Sequence, residues 1–387
     1  MLSDKINFHP DQFGFYTVGD TYKTYSKLEA ILEMRRSGIH LDWNFNREIF
    51  SSYDWTKEPQ ISLNELYRQR AQQIRNSYDY VVIFYSGGAD SWNILNTFLS
   101  NDIQVDEIAH CWSLKGDNDY FSYFNEEIYK VAIPTTLKIQ ENHPDIKHRI
   151  IDITDMVNDT YSTPEQGFDF IYYTNNLITP NGLARSYLRE KIDDYRRLID
   201  AGKRVVFVWG TEKPRLTLHD GRYHCFFLDM FDNAVSSRIQ WLSNDKGYFD
   251  ELFYWSPDAA PLIIKQCHVL KKFLDRAGPD HPWIDTSTTD FGQLRNHPAY
   301  ITADGLHSLI YPGWDISTFT NGKNKCNVIG PRDRWFWKQK EHANPSLKRF
   351  KMGVEKLHST LDHQWFKNIN DWNLGIKSCI NEYAIEP

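Results

Sequence analysis

VVIFYSGGADSWNILNTFL, residues 81–99, carries an apolar run into a helical pattern through two adjacent glycines. Val81 to Phe84 reads as a buried strand, and Asp90 to Leu99 reads as a helix with apolar positions at Trp92, Leu95 and Leu99. Between them, Gly87 and Gly88 let the backbone approach a bound group closely, and the amides that open the helix point into the gap. Such a turn seats a phosphate. Ser86 and Ser91 add hydroxyl donors, and the Asp90 carboxylate suits a magnesium ion that accompanies the phosphates.

Outward from this stretch, strand patterns at Val81–Phe84, Val105–His110, Arg149–Ile153 and Val205–Trp209 alternate with helical patterns at 91–100, about 122–132 and 183–201. The alternation predicts an α/β fold, a mostly parallel sheet with helices on both faces and ligands at the carboxyl ends of the strands. The first and fourth strand ends carry the most promising loops. In the fourth, VVFVWGTEKPRL from Val205 to Leu216, a hydrophobic run is followed by Gly210, Thr211, Glu212, Lys213 and Arg215. A charged surface turn stopped by Pro214 is the plainer reading of that segment.

SGGADS at Ser86–Ser91, directly after a hydrophobic strand, resembles the SGGxDS loop of the PP-loop ATP pyrophosphatases. That superfamily includes asparagine synthetase, the tRNA lysidine and thiolation enzymes, the 7-cyano-7-deazaguanine synthases, GMP synthetase and NAD synthetase. The resemblance covers about residues 76–275 and is nearest in character to the synthetase domain of asparagine synthetase. It implies a sheet of the HUP/PP-loop type, ATP and Mg2+ as cofactors, and cleavage of ATP between its α and β phosphates to adenylate an acceptor. On that resemblance Ser86, Gly87, Gly88 and Ser91 hold the β and γ phosphates and Asp90 positions magnesium. Gly210 and Thr211 close over the nucleotide, Lys213 or Arg215 neutralises the leaving pyrophosphate, and Glu212 helps hold magnesium or orients a cation. His110, after the second strand, falls where the family's adenosine lies. The implied acceptor is a small molecule that an amine or ammonia then attacks to give an amide-like product. Amidotransferases of this type begin with a cysteine, whereas this sequence opens Met1-Leu2-Ser3 and its first cysteine is Cys111. Free ammonia, another amine or a separate amidotransferase partner would therefore supply the nitrogen.

The remainder reads as an N-terminal extension over residues 1–75, with helices at Leu28–Ser37 and Leu63–Ile74, and a C-terminal accessory or lid region over residues 276–387. Asp229 and Asp232 share a face if their segment is helical, either as ligands for a second magnesium or an amine, or as a solvated edge. A strong helical pattern follows from Pro261 to Leu274. A net charge of −7 gives no general attraction to a polyanion, so a nucleic-acid substrate is not favoured. NGKNKCNVIGPRDRWFWKQKEHANPSLKRFKMG, residues 321–353, nevertheless interleaves basic and aromatic residues, as a nucleic-acid contact or a substrate lid would. ATP-dependent modification of a nucleobase or tRNA is thus an alternative activity, and a nucleotide-binding scaffold without turnover is another. The five cysteines form no close pair, and His307, His342, His358 and His363 show no zinc spacing. With no apolar run of membrane-spanning length and no signal-like start, cytoplasmic residence away from a membrane is the default expectation.

Overall fold

The computed structural model describes residues 1–7, 9, 11–113, 128–160, 188–210, 215–219, 221–229, 247–277, 304–314, 334–337, 339–365 and 379–386. Near the start, β1 (Phe15–Val18), β2 (Tyr22–Thr24) and β3 (Leu41–Asn44) pair antiparallel in the order β2-β1-β3. Parallel strands β4 (Tyr80–Phe84), β5 (Glu107–Trp112), β6 (Lys147–Asp152) and β7 (Val205–Trp209) follow. β8 (Arg215–His219) and β9 (Arg222–Leu228) form an antiparallel pair, and β10 (Tyr248–Leu252) returns to the parallel sheet beside β7. Finally β11 (Ile380–Ala384) adds antiparallel to β9.

The central sheet runs β10-β7-β4-β5-β6, all parallel and flanked by helices, so the architecture is mixed α/β of a generic Rossmann-like kind. Val81, Val82 and Ile83 sit in its middle strand, each 0 % exposed, which is why this strand is a continuous apolar run and not an alternating one. After β4 the chain builds outward through β5 and β6, then crosses back to place β7 on the other side of β4. The strand order reverses between β4 and β7, and the crevice beyond their carboxyl ends is where open α/β sheets take ligands.

Two of the expected strands of the central sheet are displaced, and its fifth strand, β10, was not anticipated. β5 starts two residues later and β6 two residues earlier than expected, and the first residue of β5, Glu107, pairs with Lys147 inside the sheet. There it accepts from Arg149 Nε (2.5 Å), Tyr195 Oη (2.6 Å) and Tyr80 Oη (2.9 Å), so a fully buried carboxylate is satisfied. β10 escapes a hydrophobicity reading because YFDEL holds two acids. Glu251 is buried against Arg70 at 2.8 Å and Tyr78 at 2.6 Å, and Asp250 accepts from Trp209 Nε1 at 2.6 Å.

Helix Leu63–Ser77 opens on Ser62, whose hydroxyl accepts from Glu65 N, and packs on helix Ala89–Ser100. Helix Ala260–Ala277 covers Leu63–Ser77 and also meets the short helix Asp304–Ile310. The pattern expected over 183–201 is, in its described part, two pieces, Leu188–Lys191 and Asp193–Asp200. Of the pattern at 122–132, Ile128–Ala132 forms a π-helical turn that runs into helix Ile133–Asn142.

The N-terminal region contains the three-stranded sheet as well as the two expected helices, Lys27–Ser37 and Leu63–Ser77. It shares an aromatic layer with β9 and β11. Phe50 stacks on Phe227 at 4.9 Å, Trp55 on Tyr383 at 4.6 Å, and Phe227 meets Trp255 edge-on at 5.1 Å. Asn381 fixes the seam, accepting from Phe45 N at 2.9 Å and donating to Trp43 O at 2.7 Å. Much of the aromatic content is therefore core.

Candidate functional site

The loop between β4 and helix Ala89–Ser100 turns on Gly87, whose φ of +85° lies in the left-handed region where a side chain would be strained. Gly88 caps the helix without a side chain, and Trp92 N makes the first intrahelical bond to Gly88 O at 2.9 Å. Ala89, Asp90 and Ser91 thus occupy the opening positions, whose amides have no carbonyl partner inside the helix. Here the helix presents partial positive charge and three N–H groups, the ordinary basis of anion binding.

The two serines stabilise this turn from within. Ser91, 4 % exposed, donates through Oγ to Gly88 O at 3.1 Å and accepts from Ser86 N at 3.1 Å. Ser86 Oγ lies 3.1 Å from Ser91 Oγ and accepts from Gly88 N at 3.4 Å. Behind the loop, His110 Nδ1 lies 2.6 Å from Tyr85 O, an atom that only accepts, so this nitrogen carries the proton. Burial pushes the His110 imidazolium pKa down to about 4, leaving the ring neutral, with Nε2 at 3.3 Å from Thr136 Oγ1. His110 holds the loop by its side chain rather than lining the front of it.

Asp90 is gripped at two points. Tyr254 Oη donates to its main-chain oxygen at 2.8 Å, and Tyr311 Oη donates to Oδ1 at 2.5 Å. Asn93 Nδ2 in turn donates to Tyr254 Oη at 3.0 Å. Burial, helped by the Asp90 charge, raises both phenols well above their ordinary pKa, so they remain donors throughout the working range. The loop after β7 meets the same helix: a Cβ on Gly210 would lie 2.9 Å from Ser91 N and 3.1 Å from Ser91 Cα. Only a residue without a side chain lets the two loops approach this closely.

Ser86, Gly87, Gly88, Asp90, Ser91 and Gly210 thus come together at the point of strand reversal, with His110 behind them. Thr211, Glu212 and Lys213 lie outside the described residues. Arg215 opens β8 and is 4 % exposed, its guanidinium carbon 6.0 Å from the centre of the Trp255 ring. Asp229 itself is not in a helix: it follows β9, fully buried, where Lys27 Nζ (2.5 Å), Tyr16 Oη (2.9 Å) and Cys379 N (2.8 Å) surround its carboxylate. Those bonds make it part of the core and not a magnesium ligand, and Asp232 lies outside the described residues. Of the basic-aromatic stretch, residues 321–333 and 338 lie outside the described residues, while Pro345–Thr360 is a helix capped by Asn344.

Sequence reasoning missed Asn93, Tyr254 and Tyr311. Tyr254 and Tyr311 lie 164 and 221 positions from Asp90, and no local spacing signals such a contact. Among the described residues no group of three or more His, Cys, Asp or Glu is placed to hold a metal ion. Magnesium on a nucleotide asks for less, one or two carboxylates with the phosphates, and Asp90 at the mouth of an amide cradle fits that need. Also among the described residues, no helix is long and apolar enough to cross a membrane. Comparison with family models, with curated proteins and with solved structures returns no match.

Proposed function

We propose that the loop after β4 binds the phosphates of ATP and that the protein is an adenylating enzyme of the PP-loop ATP pyrophosphatase type, with its HUP-like unit over residues 76–275. The observation that carries this reading is the meeting of SGGADS with Gly210 where the strand order reverses, a glycine-built cradle at the start of a helix. In the proposed reaction an acceptor oxygen attacks the α phosphorus, the bond to the αβ-bridging oxygen breaks, and pyrophosphate leaves. An amine or ammonia then displaces AMP to leave an amide-like product, with a separate amidotransferase as one source of the nitrogen.

The loop amides and Ser86 orient the β and γ phosphates, and Asp90 holds magnesium. Bound magnesium neutralises charge that gathers on the departing pyrophosphate. Lys213 is assigned the same electrostatic task from the β7 loop, with Arg215 and Glu212 as supporting charges and Thr211 beside the nucleotide. The rate enhancement then comes from alignment and preorganised charge, with no protein nucleophile required.

The test is purified protein with magnesium-ATP and pooled carboxylate and amine acceptors, read by mass spectrometry. AMP and pyrophosphate in equal amounts with an acceptor mass change are expected, and Asp90→Asn should lower that yield by about 100-fold with unchanged circular dichroism. Release of ADP and phosphate, or full turnover by Asp90→Asn, would sink the assignment.

A further inference from the structure

We infer that Tyr311 is a positioning residue for Asp90, brought to the phosphate loop by the segment 304–314 so that the carboxylate stands where a nucleotide-bound magnesium needs it. This rests on the nucleotide reading above and adds a part to it that lies outside the 76–275 unit.

A carboxylate in the first turn of a helix is drawn toward its own helix amides and dipole. If Asp90 turned that way it would occupy the very donors that a phosphate requires. The Tyr311 hydroxyl, 2.5 Å from Oδ1, offers a competing partner in a fixed place. Its place is fixed because the ring is fully buried, stacked on Tyr254 at 5.6 Å and on His307 at 5.6 Å. The backbone of its segment is tied as well: Tyr67 Oη donates to Ile310 O at 2.8 Å while accepting from Gln266 Nε2 at 2.7 Å. From the other side Tyr254 anchors the Asp90 carbonyl, so main chain and side chain of one residue are each held by a phenol from a distant segment. The arrangement matches the outer partners that orient metal-binding carboxylates in general.

The test uses the full chain and α,β-methylene-ATP, which reports binding whether or not an acceptor is present. Its affinity is titrated by calorimetry across a magnesium series for the wild type, Tyr311→Phe, Asp90→Asn and the double variant. Removal of an outer partner costs about 10- to 100-fold in metal affinity, so Tyr311→Phe should raise the magnesium half-saturation by that factor. Affinity for the analogue without magnesium should stay at the wild-type value. In the Asp90→Asn background the second substitution should change nothing, since Tyr311 acts through the carboxylate. A wild-type magnesium half-saturation in Tyr311→Phe overturns the inference while leaving the nucleotide site standing. So does an equal loss from Tyr311→Phe in both backgrounds, which marks a merely structural tyrosine. An analogue that fails to bind the wild type, or Asp90→Asn indistinguishable from it, overturns the nucleotide reading and this inference together. Should Tyr311→Phe prove unstable, Tyr254→Phe provides the second probe. Its loss should again fall on the magnesium-dependent part of binding, and a loss that is the same with and without magnesium overturns the inference.

Discussion

The loop after β4 and the aromatic layer built on β9 and β11 are both densely packed, yet they are held by opposite means. In the loop, residues five apart or fewer bond one another, as Ser86 and Ser91 do, and glycine supplies the close approaches. In the aromatic layer the ties that close it reach hundreds of positions: Asn381 bonds Phe45 across 336 residues, and Lys27 pairs with Asp229 across 202. The loop needs its neighbours in sequence, whereas the layer needs the whole chain. A ligand site placed on the first kind of structure and braced by the second can be altered chemically without unfolding, and unfolded without touching its chemistry.

The largest effect expected is on the layer. Lys27→Met leaves Asp229 in a fully buried site without its cation, where burial already holds the carboxyl above its ordinary pKa. A loss of about 3–5 kcal/mol in urea denaturation is expected, with nucleotide affinity of the folded protein unchanged. A loss below about 1 kcal/mol would break the contrast, since the layer would then not depend on its long-range pair.

Next comes an effect of pH on the support behind the loop. His110 has a folded pKa of about 4, below its ordinary value of 6.5, so the unfolded chain binds more protons between those values. Its contribution is therefore complete above pH 6.5 and is lost as pH falls toward 4, at up to about 1.4 kcal/mol per pH unit. Urea midpoints measured from pH 7 to pH 4 should show this slope in the wild type and a shallower one in His110→Asn; equal slopes would remove His110 from the account.

Gly210→Ala probes the close approach that brings the β7 loop, distant in sequence, onto the start of helix Ala89–Ser100. Its Cβ would lie 2.9 Å from Ser91 N, a backbone atom that must give way, so a cost of about 1–3 kcal/mol is expected together with weakened nucleotide binding. Wild-type affinity for an ATP analogue in this variant would separate the β7 loop from the site. The smallest effect belongs to Ser26→Ala, which removes the hydroxyl that accepts from Glu29 N at the start of helix Lys27–Ser37. It should cost about 1 kcal/mol of stability, read as a lowered thermal midpoint, and leave the loop untouched.

The same contrast explains what could be read from the sequence. β4, β7 and the helix after the glycines were legible because apolar runs and a glycine turn are local signals, and helix Ala260–Ala277 was legible from its apolar stripe. β10 was hidden by Asp250 and Glu251, acids that resemble surface until Trp209 and Arg70 are seen to meet them. The hairpin β8–β9 was missed although Asp220-Gly221 between RLTLH and RYHCFFL is a local turn signal, and the i,i+3 spacing of Asp229 and Asp232 says nothing about a residue bonded to Lys27. The glycine turn after β4 was legible, and the two phenols that bond Asp90 were not. Tyr311 sits in IYPGW, whose Pro and Gly mark a turn but give no sign of what the tyrosine touches.

The pairing of β11 with β9 also sets a schedule for synthesis. Phe45, Phe50 and Phe227 are made early or midway, yet the strand and the asparagine that close over their layer come at residues 380–384. Until those residues leave the ribosome, the layer is an open apolar surface on a nascent chain, with a long-range contact that forms slowly for reasons of loop closure. Production in cells should accordingly depend on helpers that shield such surfaces, and removing β11 should lower the yield of folded protein and raise aggregation.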